Sequence, residues 1–207
     1  MISDSSDTSL LLGQADAGDP HALGELLERN RERLARIVGF RMDRRLQGRI
    51  DATDVVQETF IDATRRFAEF AKDRPVPFFL WLRYLTVQKL AELHRHHLGV
   101  KARDAGREVS IYQGPLPQAT SAVLAAQLLG KQTSPSEAAA QAELKLKLED
   151  KLNSLDEIDR EVLALRHFEQ LSNAEAAQVL QISESAASNR YVRAVKRLKA
   201  ILSPSFG

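Results

Sequence analysis

Residues 172–199 read SNAEAAQVLQISESAASNRYVRAVKRLK, and this stretch decides the fold class. Ser172 and Glu175 have the spacing of a capping box, so a helix should start here. Ala174, Ala176 and Ala177 make that helix slim enough to be crossed closely, and it should end near Leu180. Gln181-Ile182 follows as a corner, with Ile182 as its plug and Ser183 as the next N-cap. A second helix then sets Ala187, Tyr191, Ala194, Leu198 and Ile201 on one face. Its other face offers Ser185, Ser188, Asn189, Val192 and Arg193, then Lys196, Arg197 and Lys199. This is the outline of a helix-turn-helix, whose second helix reaches base edges with its N-terminal residues. Ser and Asn bond base edges, Arg pairs with guanine, and trailing cations suit phosphates. An ordinary helical hairpin with a solvated polar face has the same outline, so DNA reading stands here as an expectation.

Helical pattern continues outward from this corner. Asp156–His167 reads as one helix, and Leu144, Leu148 and Leu152 stack at four-residue steps in another that starts near Ser136. Residues 98–136 change character: Gly, Pro, Ser, Thr, Gln and Ala dominate, as in a flexible linker, with one short helix around Ser121–Leu129. Upstream, Pro20 suits the first turn of a helix running to 46, with Leu23, Leu26, Leu27, Leu34, Ile37 and Val38 as its stripe. Gln47-Gly48 breaks it. Asp51 then caps a second helix carrying Val55, Val56, Phe60, Ala63, Phe67 and Phe70, with Asp54 in the first turn to meet the dipole. Pro75 and Pro77 force a loop. A third helix runs from Pro77 to His97 on Phe78, Trp81, Leu82, Leu85, Leu90 and Leu93. No alternating run argues for strands. The expected fold is all-α, with a tail over 1–19, a three-helix-type domain over 20–97, a linker over 98–136 and a helix-turn-helix domain over 137–207.

Composition removes other classes. The chain has 207 residues, 43% of them hydrophobic and 28% charged, which suits globular domains. It has no cysteine, so disulfides, thiolate nucleophiles and Cys-ligated zinc are excluded together. No apolar run approaches the ~18 residues of a membrane span, and the acidic N-terminus is unlike a secretory signal. A cytoplasmic protein without membrane insertion is expected. The net charge of +1 hides a division. Residues 71–107 hold 8 bases against 3 acids, and 5 bases fall between Arg190 and Lys199. Two basic patches in an otherwise acidic to neutral chain fit a protein that touches a polyanion in two places.

Further residues match a known family. Leu155-Asp156-Glu157-Ile158-Asp159-Arg160-Glu161-Val162-Leu163, with Leu171–Ala177 and Arg193-Ala194-Val195-Lys196-Arg197-Leu198, resembles region four of bacterial sigma factors. Asp51-Ala52-Thr53-Asp54-Val55-Val56-Gln57-Glu58-Thr59-Phe60 resembles the region-two helix that grips the polymerase clamp, and Phe78-Phe79-Leu80-Trp81-Leu82 the start of the −10-reading helix. With these two domains alone the chain is similar to the extracytoplasmic-function (ECF) group, and its long linker to that of some planctomycete members.

The resemblance implies a promoter-specificity subunit that binds core RNA polymerase at its clamp helices and flap, binds promoter DNA, and takes an anti-sigma factor as a further partner. It implies a polymerase-binding face of Asp51, Asp54, Gln57 and Glu58. It implies a −10 face of Arg83, Tyr84, Gln88, Lys89, Arg95 and Lys101, supported by exposed parts of Phe79 or Tyr84, with Trp81 in the core. The −35 face would be Ser185, Ser188, Asn189, Val192 and Arg193 at bases, with Arg190, Lys196 and Arg197 near the backbone. Three departures stand out: Gln181 replaces the usual Gly, Ala186-Ala187 replaces Thr-Val, and Gln88 replaces the Asn commonly used in the −10 helix.

Other chemistry is weakly supported. His94 and His97 share a helix face and suggest a metal-dependent hydrolase, but no carboxylate joins them at metal-ligand spacing. A solvated basic helix end accounts for them better. There is no Gly-rich phosphate loop and no Ser/His/Asp arrangement. A non-enzyme without cofactor is expected. The main alternative is a free-standing helix-turn-helix regulator whose N-terminal helices serve dimerisation.

Overall fold

The computed structural model describes residues 5–43, 45–98, 121–129 and 138–202. Every regular element among them is helical, and an isolated bridge between Gln47 and Ile50 stands outside the helices. The chain divides into two compact units, Met1–Pro117 and Gln118–Gly207.

In the first unit α1 (Ser6–Asp16), α2 (Pro20–Arg41), α3 (Ala52–Asp73) and α4 (Phe78–Leu98) form one bundle. α1 packs on α2, and α2, α3 and α4 pack on one another. The cap anticipated at Asp51 is present, accepting from the Thr53 N–H at 2.8 Å, and Asp19, which was not singled out, caps α2 by accepting from the His21 N–H at 2.8 Å. α2 stops at Arg41, earlier than the end at 46 expected from the Gln47-Gly48 break, because Met42 turns extended. Gly48 then takes φ 89°, a left-handed turn that suits glycine. Leu34, Ile37, Val38, Val56, Ala63, Phe78, Leu82 and Leu90 are all completely buried. At the α3–α4 junction the Phe70 and Trp81 rings stack, with centroids 4.4 Å apart.

α1 departs from the expected tail. Ser5 caps it through the Thr8 N–H, and Leu11, Leu12 and Ala15 are buried. Its apolar residues come as a consecutive Leu10-Leu11-Leu12 run, so no helical periodicity announced it. Arg74 pins it from the α3 C-cap, donating to the Leu12 carbonyl and lying 3.5 Å from the Asp16 carboxylate.

The second unit contains α5 (Ser121–Leu129), α6 (Ala138–Asn153), α7 (Glu157–Leu163) with a π-helical continuation over Ala164–Phe168, α8 (Asn173–Leu180) and α9 (Glu184–Leu202). α5 falls within the stretch expected to link the domains, yet it packs on α6 and buries Leu124 and Ala125. It borders a cavity of about 160 Å³ lined by Leu152, Leu163, Phe168, Tyr191 and Leu198. The rest of that stretch, 99–120 and 130–137, lies outside the described residues.

The α8–α9 corner follows the sequence closely. Ser172 and Glu175 make both bonds of the capping box. Ala176, Ala177, Ala187 and Ala194 are buried where the helices cross. The Ile182 N–H bonds the Ala177 carbonyl at 3.0 Å, and the Asn173 side chain donates to the Glu184 carbonyl at 2.9 Å. Gln181 sits at φ 54°, the left-handed cap position that glycine occupies without strain. Gln181→Gly is therefore expected to stabilise this unit by about 1 kcal/mol, read as a higher urea midpoint with an unchanged slope.

Candidate polymerase- and DNA-binding faces

α3 is buried along Val55, Val56, Thr59, Ala63, Phe67 and Phe70. That burial turns Asp54, Gln57 and Glu58 outward, and all three are exposed beside the exposed cap residue Asp51. The four expected residues thus lie together at one end of one face. Ile61, 51% exposed, extends this face one turn further. It was not singled out from the sequence, although its position three residues after Glu58 and four after Gln57 places it on the polar stripe. The result is an acidic surface with an exposed apolar group at its C-terminal end.

α4 differs from an ordinary surface helix. From Phe78 to Leu90 every residue is buried except Tyr84, Gln88 and Lys89, which are partly exposed. Tyr84, Gln88 and Arg95 follow one another at four- and seven-residue steps, so they define its open strip, and Arg95 is exposed. Burial raises the Tyr84 pKa, against the lowering effect of the nearby Arg66 charge. Arg66, from α3, also donates to the Gln88 side-chain oxygen at 3.3 Å. Arg66 was not anticipated, because nothing local links positions 66 and 88.

Several residues expected on the −10 face are placed elsewhere. Arg83 is 3% exposed, so its guanidinium is not on the surface. Lys89 lies among three carboxylates, 3.1 Å from Asp62, 3.3 Å from Glu92 and 3.7 Å from Glu58. Desolvation would lower its pKa, but the hydrogen bond to Asp62 and the charges of Glu92 and Asp62 outweigh that and raise it. It bridges α3 and α4 rather than standing free for phosphate. Phe79 is buried under the Arg33 guanidinium, 3.5 Å from its ring centroid, and offers no platform for a base. Trp81 is in the core, as expected. Lys101 lies outside the described residues.

His94 is occupied by the fold. Its Nε2 accepts the Asp43 backbone N–H at 3.2 Å, so the imidazole is neutral there. Burial lowers its pKa. The Asp43 carboxylate is hydrogen-bonded by the Arg45 side chain and backbone, which hold its pKa at about 2. Among the described residues no three His, Asp or Glu side chains group as metal ligands.

On α9, Ser185, Ser188, Asn189, Val192 and Lys196 are exposed, at spacings that make one continuous face. Val192 is 47% exposed, an apolar group placed among polar ones. The arginines behave differently. Asp159 on α7 is fully buried and receives Arg193 at both oxygens, Nε at 2.9 Å and Nη2 at 2.7 Å. Arg190 donates to the same carboxylate at 3.0 Å, and Arg197 lies 4.0 Å from it. Arg193, expected at base edges, is thus engaged by α7.

The model of the family described as "Sigma-70, region 4" matches residues 145–198, the span that contains this corner. RNA polymerase sigma factor NccH of Alcaligenes xylosoxydans xylosoxydans is 30% identical over 99% of both chains. RNA polymerase sigma factor CnrH of Cupriavidus metallidurans is 30% identical over 93% of each. ECF RNA polymerase sigma factor SigD of Mycobacterium tuberculosis is 28% identical over 91% of this chain and 81% of its own. A solved structure of CnrH in complex with the cytosolic domain of CnrY superposes with a TM-score of 0.53, at 25% identity, covering 96% of this chain and 99% of that one.

Proposed function

The chain belongs to the ECF RNA polymerase sigma factors, and from that premise we propose how its two units divide the work. It directs promoter-specific transcription initiation with core RNA polymerase, as a regulatory factor rather than an enzyme. The observation that carries the division is the exposed polar face of α9 within the span that matches region four.

In this reading α3 takes the polymerase clamp with Asp51, Asp54, Gln57, Glu58 and the newly found Ile61. The open strip of α4, Tyr84, Gln88 and Arg95, takes the −10 element as single-stranded DNA, with Arg66 beside it. α9 enters the major groove at the −35 element with Ser185, Ser188, Asn189 and Val192, and Lys196 takes phosphate. The second unit also meets the polymerase flap. CnrH pairs with the cytosolic domain of CnrY, which supports an anti-sigma factor as a regulatory partner for this chain too. The work is cytoplasmic, where the polymerase is, and no described helix is long and apolar enough to cross a membrane. The composition of residues 98–136 supports a planctomycete-type member. Run-off transcription with core polymerase on genomic fragments tests the whole reading: discrete start sites that need both proteins are expected, and transcripts that ignore the added chain would defeat it.

Two residue-level results are expected. Gln88→Ala changes the −10 preference in a randomised-promoter assay while core affinity holds, because its amide bonds a base and not the polymerase. An identical promoter profile would remove Gln88 from the site. Lys196→Ala weakens binding evenly across sequences and reduces the salt slope of the holoenzyme–promoter affinity by about one unit, the signature of one lost phosphate contact.

A further inference from the structure

We propose that Asp159 is a positioning residue that withholds the arginine stripe of α9 from DNA phosphates, so that sequence is read by the neighbouring Ser185–Lys196 face. This rests on the reading that α9 lies on promoter DNA. Arg190, Arg193 and Arg197 follow at three- and four-residue steps and share one side of α9. That side faces α7. The Asp159 carboxylate is fully buried and spans the stripe: Arg190 Nη1 at 3.0 Å, Arg193 Nη2 at 2.7 Å and Nε at 2.9 Å, Arg197 Nη1 at 4.0 Å. Asp156 adds a second carboxylate 4.0 Å from Arg193. Three guanidiniums therefore share two carboxylates, and the stripe presents one surplus positive charge instead of three.

Guanidiniums released beside the groove would attract phosphates of any sequence and raise affinity for promoter and non-promoter DNA alike. Held by Asp159, they brace α9 against α7 and leave base-edge contacts to decide affinity. A buried carboxylate that bonds two arginines restrains their side chains as well as their charge, most tightly for Arg193, whose Nε and Nη2 engage both oxygens. Asp159 thus acts on discrimination without touching a base.

The test uses holoenzyme formed from the full chain and core polymerase, titrated against promoter and random duplexes of equal length over a range of salt. Asp159→Asn keeps the shape and one acceptor oxygen but removes the charge. The expected result is a salt slope steeper by about one unit on both duplexes, with the promoter-to-random affinity ratio falling severalfold. Adding Arg190→Gln and Arg193→Gln should bring the slope back. An unchanged slope with affinity lowered equally on both duplexes, as a merely structural role predicts, overturns the proposal. If Asp159→Asn does not fold, Arg190→Gln/Arg193→Gln alone decides. A slope equal to that of the unsubstituted chain supports withheld arginines, and one flatter by about two units overturns them. Lys196→Ala, run alongside, separates the two readings. Its flatter slope keeps α9 on DNA even where the Asp159 proposal fails, whereas an unchanged slope in both Asp159→Asn and Lys196→Ala brings both down.

Discussion

Asp159→Ala should lower the unfolding free energy of the second unit by roughly 2–3 kcal/mol. Breaking a buried ion pair by removing one partner typically costs about 3–5 kcal/mol, since a charge is left buried and unpaired. Here the loss is smaller, because Arg190 and Arg193 retain side-chain exposures of 31% and 46% and can turn to water once released. The loss has two sources: the charge-assisted bonds themselves and the cavity left between α7 and α9. Urea unfolding followed by helical circular dichroism at pH 7 measures it.

The pH dependence supplies an internal control. Burial would raise the Asp159 pKa, but the hydrogen bonds from Arg193 and Arg190 overcome this and hold it below the ordinary 3.8. A carboxylate depressed in the folded state contributes stability above its unfolded pKa and loses it as pH falls through the folded one. The gap between the unsubstituted protein and Asp159→Ala should therefore be constant above about pH 5 and shrink below the unfolded value of 3.8. A gap that stays constant into acid would mean that packing, and not the ion pair, carries the effect.

The second large effect is expected at the polymerase. Asp54→Lys combined with Glu58→Lys should reduce affinity for core polymerase at least a hundredfold, about 2.7 kcal/mol, because like charges set against each other at an interface cost several kcal/mol. Both side chains are exposed on one face of α3. Neither supports the core, so the circular-dichroism spectrum should be unchanged. Glu58 is also the most distant of the three carboxylates around Lys89, with Asp62 and Glu92 closer, so losing it leaves that cation paired. Ile61→Asp on the same face should weaken core binding without unfolding the bundle, since Ile61 is exposed before any partner arrives. Undiminished core affinity in the double variant would move the clamp contact to another helix.

Features set by near neighbours along the chain could be read from the residues alone. Helix starts were legible because a capping side chain reaches only two or three residues along the chain: Asp51, Ser172 and Ser183 each bond the backbone there. Buried faces were legible where apolar residues recur at the helical period, as on α3 and α9. The α8–α9 corner followed from small residues and a capping box that lie within one short segment. The exposed polar face of α9 came with it, since the opposite face of a half-buried helix meets solvent.

Which charged groups meet solvent was set by the packing of distant helices. Arg83 and Lys89 occur in a basic stretch, and cations are usually exposed. Yet α4 is buried on most of its sides, which takes Arg83 out of reach and sets Lys89 among carboxylates from α3. Arg190 and Arg193 belong by spacing to the helix expected to face DNA, but their partner Asp159 lies 31 and 34 residues away. α1 has too little periodicity to announce itself and acquires its burial from α2, and α5, expected only as a short helix within a linker, acquires its burial from α6. Periodicity and capping are properties of neighbours along the chain. Whether a charged side chain meets water, phosphate or a carboxylate depends on what a distant segment places opposite it, and that is settled only when the helices pack.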